Sequence, residues 1–425
     1  MKFKWELREI LGLAAIPRIA AAFTSLGFDH PNEPFRTLEP MAALSGWTAN
    51  PPWEWTQGLL SALPVYFHLV ISAPFQENPI VALTAMKLIY AVLSLTLVAA
   101  TYQVIEKLKP KSGLSLMAAC GVAFWPELVF QSVRIMDYSL EAAGLAGALL
   151  LWNQENFRGK RFIGIGLIIG ALFFVRPQTC LAFLPFLLGT TNRYEVVFLS
   201  LGYGASIVGF GLLESALTQV DFLAPFQNYI FYNVVRNGAA RDYGSDPWHR
   251  YITEVGKYWS WFPFFIALFA FSRKSLIQQR KAWPLLGLFA IPFLVHSAIS
   301  HKEGRFLYGS LWTVVPIAVL GWDSLKGFRK KWLIPLTTVG IGLAFLASIH
   351  RVSQKWTLHH QSTQAIASAG LKIRQGNYPD KSPVLIQGEP LWSPAGFLLR
   401  THRVICHQSC AESRAEPIPV SLSAQ

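Results

Sequence analysis

QGLLSALPVYFHLVISA, residues 57–73, is apolar enough to enter a bilayer, yet it carries Pro64 and His68 and is flanked by prolines. Whether it crosses sets the side on which every later loop emerges. A span needs about 20 mostly apolar residues. Eleven other runs meet or approach that length: 8–23, 80–104, 114–130, 138–152, 162–175, 178–190, 196–213, 257–271, 283–299, 306–321 and 332–348. If 57–73 does not cross, Lys2, Lys4, Arg8, Lys107, Lys109, Lys111, Arg158, Lys160, Arg161, Arg193, Arg273, Lys274, Arg280, Lys281, Lys326, Arg329, Lys330 and Lys331 all fall on one side. The opposite loops hold only Arg36, Arg134, Arg176, Arg236, Arg241, Arg250, Lys302 and Arg305. That excess is the bias of cytoplasmic loops, and a twelfth crossing would invert it. The stretch therefore reads as a re-entrant or surface helix. The chain reads as an all-α polytopic membrane protein of about eleven transmembrane helices, N-terminus in the cytoplasm and C-terminus outside.

Composition agrees. Of 425 residues only 14% are charged and 52% are hydrophobic, whereas a soluble domain carries roughly 25% charge. The net charge of +13 follows from the positive-inside bias, and no basic face interleaved with aromatics suggests a nucleic acid partner. Arg18 interrupts the first apolar run and no small-residue cleavage site follows, so this run reads as a retained span and not a signal peptide. Residues 1–349 form the multi-span unit, with long outer loops at 24–79 and 214–256. Residues 350–425 form an outer tail or small domain, in which DKSPVLIQGEPLW reads as one strand of a soluble appendix. Cys120 and Cys180 read as buried small hydrophobes. Cys406 and Cys410 suit bare thiols or a disulfide, and no second pair completes a zinc site.

Chemistry concentrates in three places. The first outer loop sets Asp29, Glu33, Glu39 and Glu54 beside Trp47, Trp53 and Trp55. A carboxylate can take a hydroxyl proton while indole rings stack on a sugar; the same composition suits a solvated loop anchored by interfacial Trp. The second place is His296 with His301, Lys302, Glu303, Arg305 and Phe306, where Lys and Arg could grip a phosphate or snorkel to headgroups. The third comprises Arg134, Asp137, Glu141, Arg176 and Glu214 at the edges of apolar runs. Such charges face a cavity or each other, and an Arg134–Glu141 pair is one expectation. The second outer loop, with Trp248 and His249, suits a lid or a plain surface loop.

These residues resemble glycosyltransferase family 22, the polyprenyl-phosphate-mannose-dependent α-mannosyltransferases of asparagine-linked glycans and GPI anchors, within the C-type glycosyltransferase superfamily. The family's H-P-D-E, F-Q, L-E-P and T-W-E-W are similar to His30-Pro31-Asn32-Glu33, Phe35-Arg36, Leu38-Glu39-Pro40 and Pro52-Trp53-Glu54-Trp55. Its S-R, N-x-L-E and R-P resemble Arg134, Ser139–Glu141 and Arg176-Pro177. Its N-F-x-x-x-N and Y-G-x-x-P-W-x-x-Y resemble Gln227–Tyr229 with Asn233, and Tyr243-Gly244 with Pro247-Trp248 and Tyr251. Its H-S-x-x-x-H-K-E-x-R-F is similar to His296-Ser297 and His301–Phe306. One departure matters: the family's acid after His-Pro is Asn32 here, and a neutral amide cannot accept a proton.

The resemblance implies an inverting transfer of a hexose, mannose in the family's terms, from a polyprenyl-phosphate donor to a lipid-linked or outer-surface glycan. Glu33, or else Asp29, would be the catalytic base. His301, Lys302 and Arg305 would hold the donor phosphate. His30, Asn32, Trp53, Glu54, Trp55 and Trp248 would contact sugar or acceptor, with Arg134, Glu141, His296 and Glu303 in support. No cofactor is required; a divalent cation is compatible, although no D-x-D motif is present. The expected place is a bacterial inner membrane with the site on the periplasmic side, or the endoplasmic reticulum membrane. Two rivals stand beside this: a lipid-linked-sugar transporter, which should spread charges through its central spans, and an inactive binding subunit, suggested by Asn32. The whole reading requires the acidic first loop and the cationic hexapeptide to meet across one crevice.

Overall fold

In a computed structural model, the described residues are 6–25, 27–30, 32–46, 52–75, 78–154, 158–259, 261–271, 274–325 and 330–356, with short strands at 384–387, 405–406 and 418–421. Trp47 and Cys410 lie outside them.

The chain is a helical bundle. In order it forms α1 (Leu7–Thr24), α2 (Glu39–Leu44), α3 (Trp53–Thr56), α4 (Leu63–Ser72), α5 (Pro79–Leu108), α6 (Leu114–Phe124), α7 (Pro126–Gln131), α8 (Asp137–Asn153), α9 (Arg158–Val175) and α10 (Phe183–Gly189). There follow α11 (Arg193–Thr218), α12 (Ala224–Ile230), α13 (Gly238–Tyr243), α14 (Arg250–Trp259), α15 (Trp261–Phe271), α16 (Lys274–Ile277), α17 (Trp283–Ala298), α18 (Tyr308–Leu311), α19 (Val314–Leu325) and α20 (Lys330–Trp356). Among the described residues, three helical stretches are long and apolar enough to cross a membrane: Pro79–Leu108, Arg193–Thr218 and Arg280–Ala298. The other apolar runs are helical too, but several are broken. The run 114–130 breaks where Pro126 opens α7, because proline at the first helical position has no N–H to give. The run 178–190 begins as a 3-10 turn behind Pro177.

Local chemistry explains the boundaries. Asn78 caps α5 by accepting the N–H groups of Ile80 at 3.0 Å and Val81 at 3.2 Å, with Pro79 at the first position. Asn192 caps α11 through Glu195 N–H at 3.0 Å. Arg18, which interrupts α1 in the sequence, is buried, and its guanidinium donates to the carbonyls of Ala14, Val122 and Ala123 and to the Ser94 hydroxyl. It thereby satisfies the carbonyls left open at the end of α6. Helices α9 and α11 cross backbone to backbone: a Cβ at Gly166 would collide with Leu199 O, and one at Gly202 with Ile163 O. Small residues of this kind let helices associate in lipid, where no hydrophobic drive exists between them.

Helix α4 has ten residues, about 15 Å at 1.5 Å per residue, half the hydrocarbon thickness. It does not reach across, and Phe67 and Val70 are exposed on its outer side. With α2 and the start of α5 it encloses a separate apolar cluster of Phe28, Leu38, Met41, Val65, Leu83, Met86 and Ile135. The first outer loop is thus a packed subdomain and not an open strap. On the bundle surface Ile16, Val92, Leu201, Leu294, Leu343 and Leu346 are exposed, as lipid-facing positions should be. The protein is an integral membrane protein. In the tail, Val384–Gln387 pairs in parallel with Ile405–Cys406 and with Ile418–Ser421.

Candidate active site

The end of α1, the first outer loop, the second outer loop and the segment after α17 converge at one end of the bundle. Two buried cations begin the arrangement. Lys87 of α5 donates to the carbonyls of Ser25 and Gly27, and Arg134 donates to the Gly27 carbonyl at 2.7 Å and to Ser25. This fixes the chain as it leaves α1. Glu33 is 0% exposed. Its carboxylate accepts the N–H groups of Ile135 at 2.9 Å and Asp29 at 3.2 Å, with Arg134 at 3.8 Å. Glu33, the leading base candidate from sequence, thus ties the first loop to the α7–α8 turn.

Asp29 lies four residues before it, in a bend ahead of the helical segment. Its carboxylate is met by Lys355 Nζ at 2.9 Å and Gln131 Nε2 at 3.3 Å. Next to it the first loop reaches the cationic hexapeptide: His30 Nε2 lies 3.7 Å from Glu303 Oε2. With its amide oxygen turned toward the guanidiniums, Asn32 accepts from Arg36 Nε at 3.0 Å and from Arg305 Nη2 at 2.9 Å. The acidic and cationic segments thus share one crevice.

Lys302 differs from expectation. It is 4% exposed and donates to the carbonyls of Asp246, at 3.0 Å, and Ile299. Its ammonium fastens the second outer loop to the hexapeptide, assisted by Asp246 N–H on Ser300 O at 2.9 Å. His301 is similarly held, between Gly244 O and Glu303, each at 3.0 Å. Arg305 forks onto Glu303 while remaining at the crevice. Burial opposes ionisation of Glu303, but Arg305 and His301 hold its carboxyl down to about 2. Burial, aided by Arg305, pushes the His30 imidazole down to about 4, so it is neutral at pH 7.

Deeper lies a chain of alternating charges. Arg36 forks onto Glu54 at 2.6 and 2.9 Å and reaches Asp137 at 3.4 Å. Asp137 also meets Arg176 Nε at 3.3 Å, and Arg176 pairs with Glu141. Burial opposes the charge on Glu54, yet Arg36 holds its carboxyl below the usual range. The expected Arg134–Glu141 pair is absent. Arg134 precedes α8 and points at the exit of α1, while Glu141, a turn into α8, faces the loop after α9.

Arg36, Asp137 and Arg176 line a cavity with His68, Phe226 and Tyr229. Beside it, an apolar groove between α4, α8 and α9 shares Pro64, Leu140, Phe174 and Val175 with the cavity wall. The sequence had offered Asp137 and Arg176 only as charges at span edges and Arg36 as a lone cation among acids. Their convergence needs three distant segments, which no spacing reveals. At the outer rim Trp53, 43% exposed, stands 5.5 Å from Tyr232 and 6.5 Å from Tyr243. Trp55 is half-buried against the loop cluster. Trp248 is 69% exposed and touches His249. His296 is buried between Tyr251 and Phe306. Among the described residues no group of three His, Cys, Asp or Glu could hold a metal ion.

The model of the Alg9-like mannosyltransferase family matches residues 10–384. GPI mannosyltransferase 3 of Yarrowia lipolytica is 25% identical over 423 residues, covering 91% of this chain and 78% of that protein. GPI alpha-1,2-mannosyltransferase 3 of Homo sapiens is 22% identical over 355 residues, and the match spans 79% of this chain and 59% of the human protein. Among solved structures, ArnT from Cupriavidus metallidurans bound to undecaprenyl phosphate aligns with a TM-score of 0.61 at 11% identity, covering 94% of this chain and 85% of that one. The Archaeoglobus fulgidus oligosaccharyltransferase aligns at 0.51 with 13% identity, covering 93% and 61%. At such identities these two carry the fold alone. With its family's model matched over most of its length, the chain belongs to the Alg9-like mannosyltransferases, a family of hexosyltransferases.

Proposed function

We propose that this chain transfers mannose from a polyprenyl-phosphate donor to a hydroxyl of a lipid-linked or outer-surface glycan, by single displacement with inversion. The observation that carries the donor assignment is the junction of the Arg36–Arg176 cavity with the apolar groove of α4, α8 and α9. A donor with one phosphate on an isoprenoid chain needs both surfaces side by side. The phosphate would exchange with carboxylates now bound to Arg36 and Arg176, and those guanidiniums would stabilise the charge that grows on it as the glycosidic bond breaks. This moves the phosphate role from Lys302 to Arg36 and Arg176, with Arg305 at the crevice.

Asp29 is the base in this reading, since both oxygens of Glu33 are committed to backbone N–H groups. The acceptor oxygen attacks the anomeric carbon, the bond from that carbon to the phosphate oxygen breaks, polyprenyl phosphate leaves, and the hydroxyl proton passes to Asp29. Trp53, Tyr232 and Tyr243 form an exposed aromatic rim on which acceptor sugars would stack. Asn32, neutral and held between Arg36 and Arg305, orients these two cations without adding a negative charge of its own. No step calls for a cofactor.

The chain crosses the membrane eleven times in this proposal; because α20 continues unbroken to Trp356, the transferase unit extends through residue 356, beyond the expected boundary at 349, and the remaining residues form an appendix on the outer side. The site faces away from the cytoplasm, toward the periplasm of a bacterial inner membrane or the lumen of the endoplasmic reticulum. Purified protein in lipid nanodiscs, given radiolabelled polyprenyl-phosphate mannose or GDP-mannose with a glycolipid acceptor, tests this. The proposal expects label transfer from the lipid donor alone, into a product of opposite anomeric configuration. Transfer from GDP-mannose, or retention of configuration, would overturn it.

A further inference from the structure

The last described turn of α20 returns to the end of α1. Trp356 Nε1 donates to Thr24 Oγ1 at 3.1 Å, the Ser25 hydroxyl donates to Trp356 O at 3.4 Å, and the indole packs 6.0 Å from the Phe130 ring. These contacts dock the helix without Lys355. The lysine makes a different one: its Nζ lies 2.9 Å from Asp29 Oδ1 and 3.3 Å from Oδ2, straddling the carboxylate. The pair is largely shielded, with side-chain exposures of 28% for Lys355 and 9% for Asp29.

The second donor on Asp29 is Gln131 Nε2 at 3.3 Å, and the same nitrogen also serves Glu127 Oε1 at 2.9 Å. Glu127 is buried, and its other carboxylate oxygen has no hydrogen-bond partner. The two N–H bonds of this amide are thus divided between two acids, one each. Gln131 is itself aimed by Tyr138, whose hydroxyl donates to its carbonyl oxygen at 2.5 Å, so its NH2 group stays turned toward the two acids. The one N–H that Asp29 receives from Gln131 is long, and the ammonium of Lys355, brought from α20, is the contact that reaches both of its oxygens.

We infer that Lys355 is a positioning residue for the transfer reaction: it anchors the Asp29 carboxylate toward the crevice while Gln131 is shared with Glu127. The inference rests on Asp29 being the base. Its physical content is that a carboxylate held by an ammonium on both oxygens keeps one geometry, and misplacing a reacting group by about 1 Å can cost up to a hundredfold in rate. Lys355 touches neither donor nor acceptor in this scheme, so substrate affinity should not depend on it. Arginine, the other permanent cation of similar reach, should replace it in part.

The test is steady-state mannosyl transfer in nanodiscs by Lys355→Met, Lys355→Arg and Asp29→Asn, each normalised to monodisperse protein. Lys355→Met should lower kcat about tenfold and leave the donor KM within about twofold. Lys355→Arg should recover most of kcat. Trp356→Phe, which loosens the docking of α20 but spares the ion pair, should keep kcat near wild type and lower only thermal stability. An unchanged kcat in Lys355→Met beside an inactive Asp29→Asn would overturn this inference alone. An active Asp29→Asn would remove the base assignment itself. Equal losses in Lys355→Met and Trp356→Phe would reduce Lys355 to a docking contact and overturn the inference too.

Discussion

Two groups of buried charge lie within the same end of the bundle, and they are satisfied in opposite ways. Around the exit of α1, Lys87 and Arg134 give their hydrogen bonds to backbone carbonyls, and Glu33 accepts from backbone N–H groups. Lys302 does the same for the second outer loop. Around the cavity, Arg36 and Arg176 are matched instead by the side chains of Glu54, Asp137 and Glu141. A charge tied to backbone cannot release its partner without moving the fold, whereas one tied to a side chain can exchange that partner for a ligand's phosphate by a rotamer change. Removing one member of either group leaves an uncompensated buried group. The first group should then show its loss in stability and the second in catalysis.

The largest effect should come from the cavity. Arg36→Gln is expected to lower kcat/KM for a polyprenyl-phosphate donor by about 100-fold or more, with the protein still monodisperse. A loss confined to yield, at normal specific activity, would move Arg36 into the scaffold. Lys302→Met should behave the other way: stripping two buried carbonyls of their donor costs about 1–3 kcal/mol, read as a lower unfolding midpoint. The donor KM per folded molecule should stay within about twofold. A raised donor KM would return Lys302 to phosphate binding.

Acidification gives the smallest effect and separates two members of the crevice. His30 is lowered in the folded state to about 4 from 6.5, so the unfolded chain binds its proton first. The stability it contributes is complete above pH 6.5 and fades as pH falls toward about 4. Glu303, lowered to about 2 from 4.5, contributes fully above pH 4.5 and loses that contribution only as pH falls toward about 2. Unfolding midpoints of wild type and His30→Gln should therefore diverge above pH 6.5 and converge by pH 4. A constant gap across that range would show that His30 is not shielded in the crevice.

Much of this architecture was legible in the sequence because membrane helices announce themselves by composition and loops by charge. The stretch 57–73, which loop charge had marked as a non-crossing segment, holds a helix of only ten residues, and the meeting of the first loop with the hexapeptide, which the family reading required, is seen where His30 approaches Glu303. The individual roles were less legible. Glu33 and Lys302 carry the letters of a base and a phosphate ligand, but a sequence does not say whether a backbone amide or carbonyl already occupies them. Arg36 and Arg176 stand far apart in the chain, and only the fold of α8 against α9 brings Asp137 between them. Lys355 had no motif to mark it, since its partner lies at the opposite end of the chain.

The contrast between scaffold and site comes to its sharpest point in two neighbouring carboxylates of the first loop. Single-turnover mannosyl transfer by Asp29→Asn and Glu33→Gln, each expressed per folded molecule, measures it directly. The account predicts that Asp29→Asn is folded and inactive while Glu33→Gln is less stable but transfers sugar at close to the wild-type rate. A folded, inactive Glu33→Gln beside an active Asp29→Asn would contradict it.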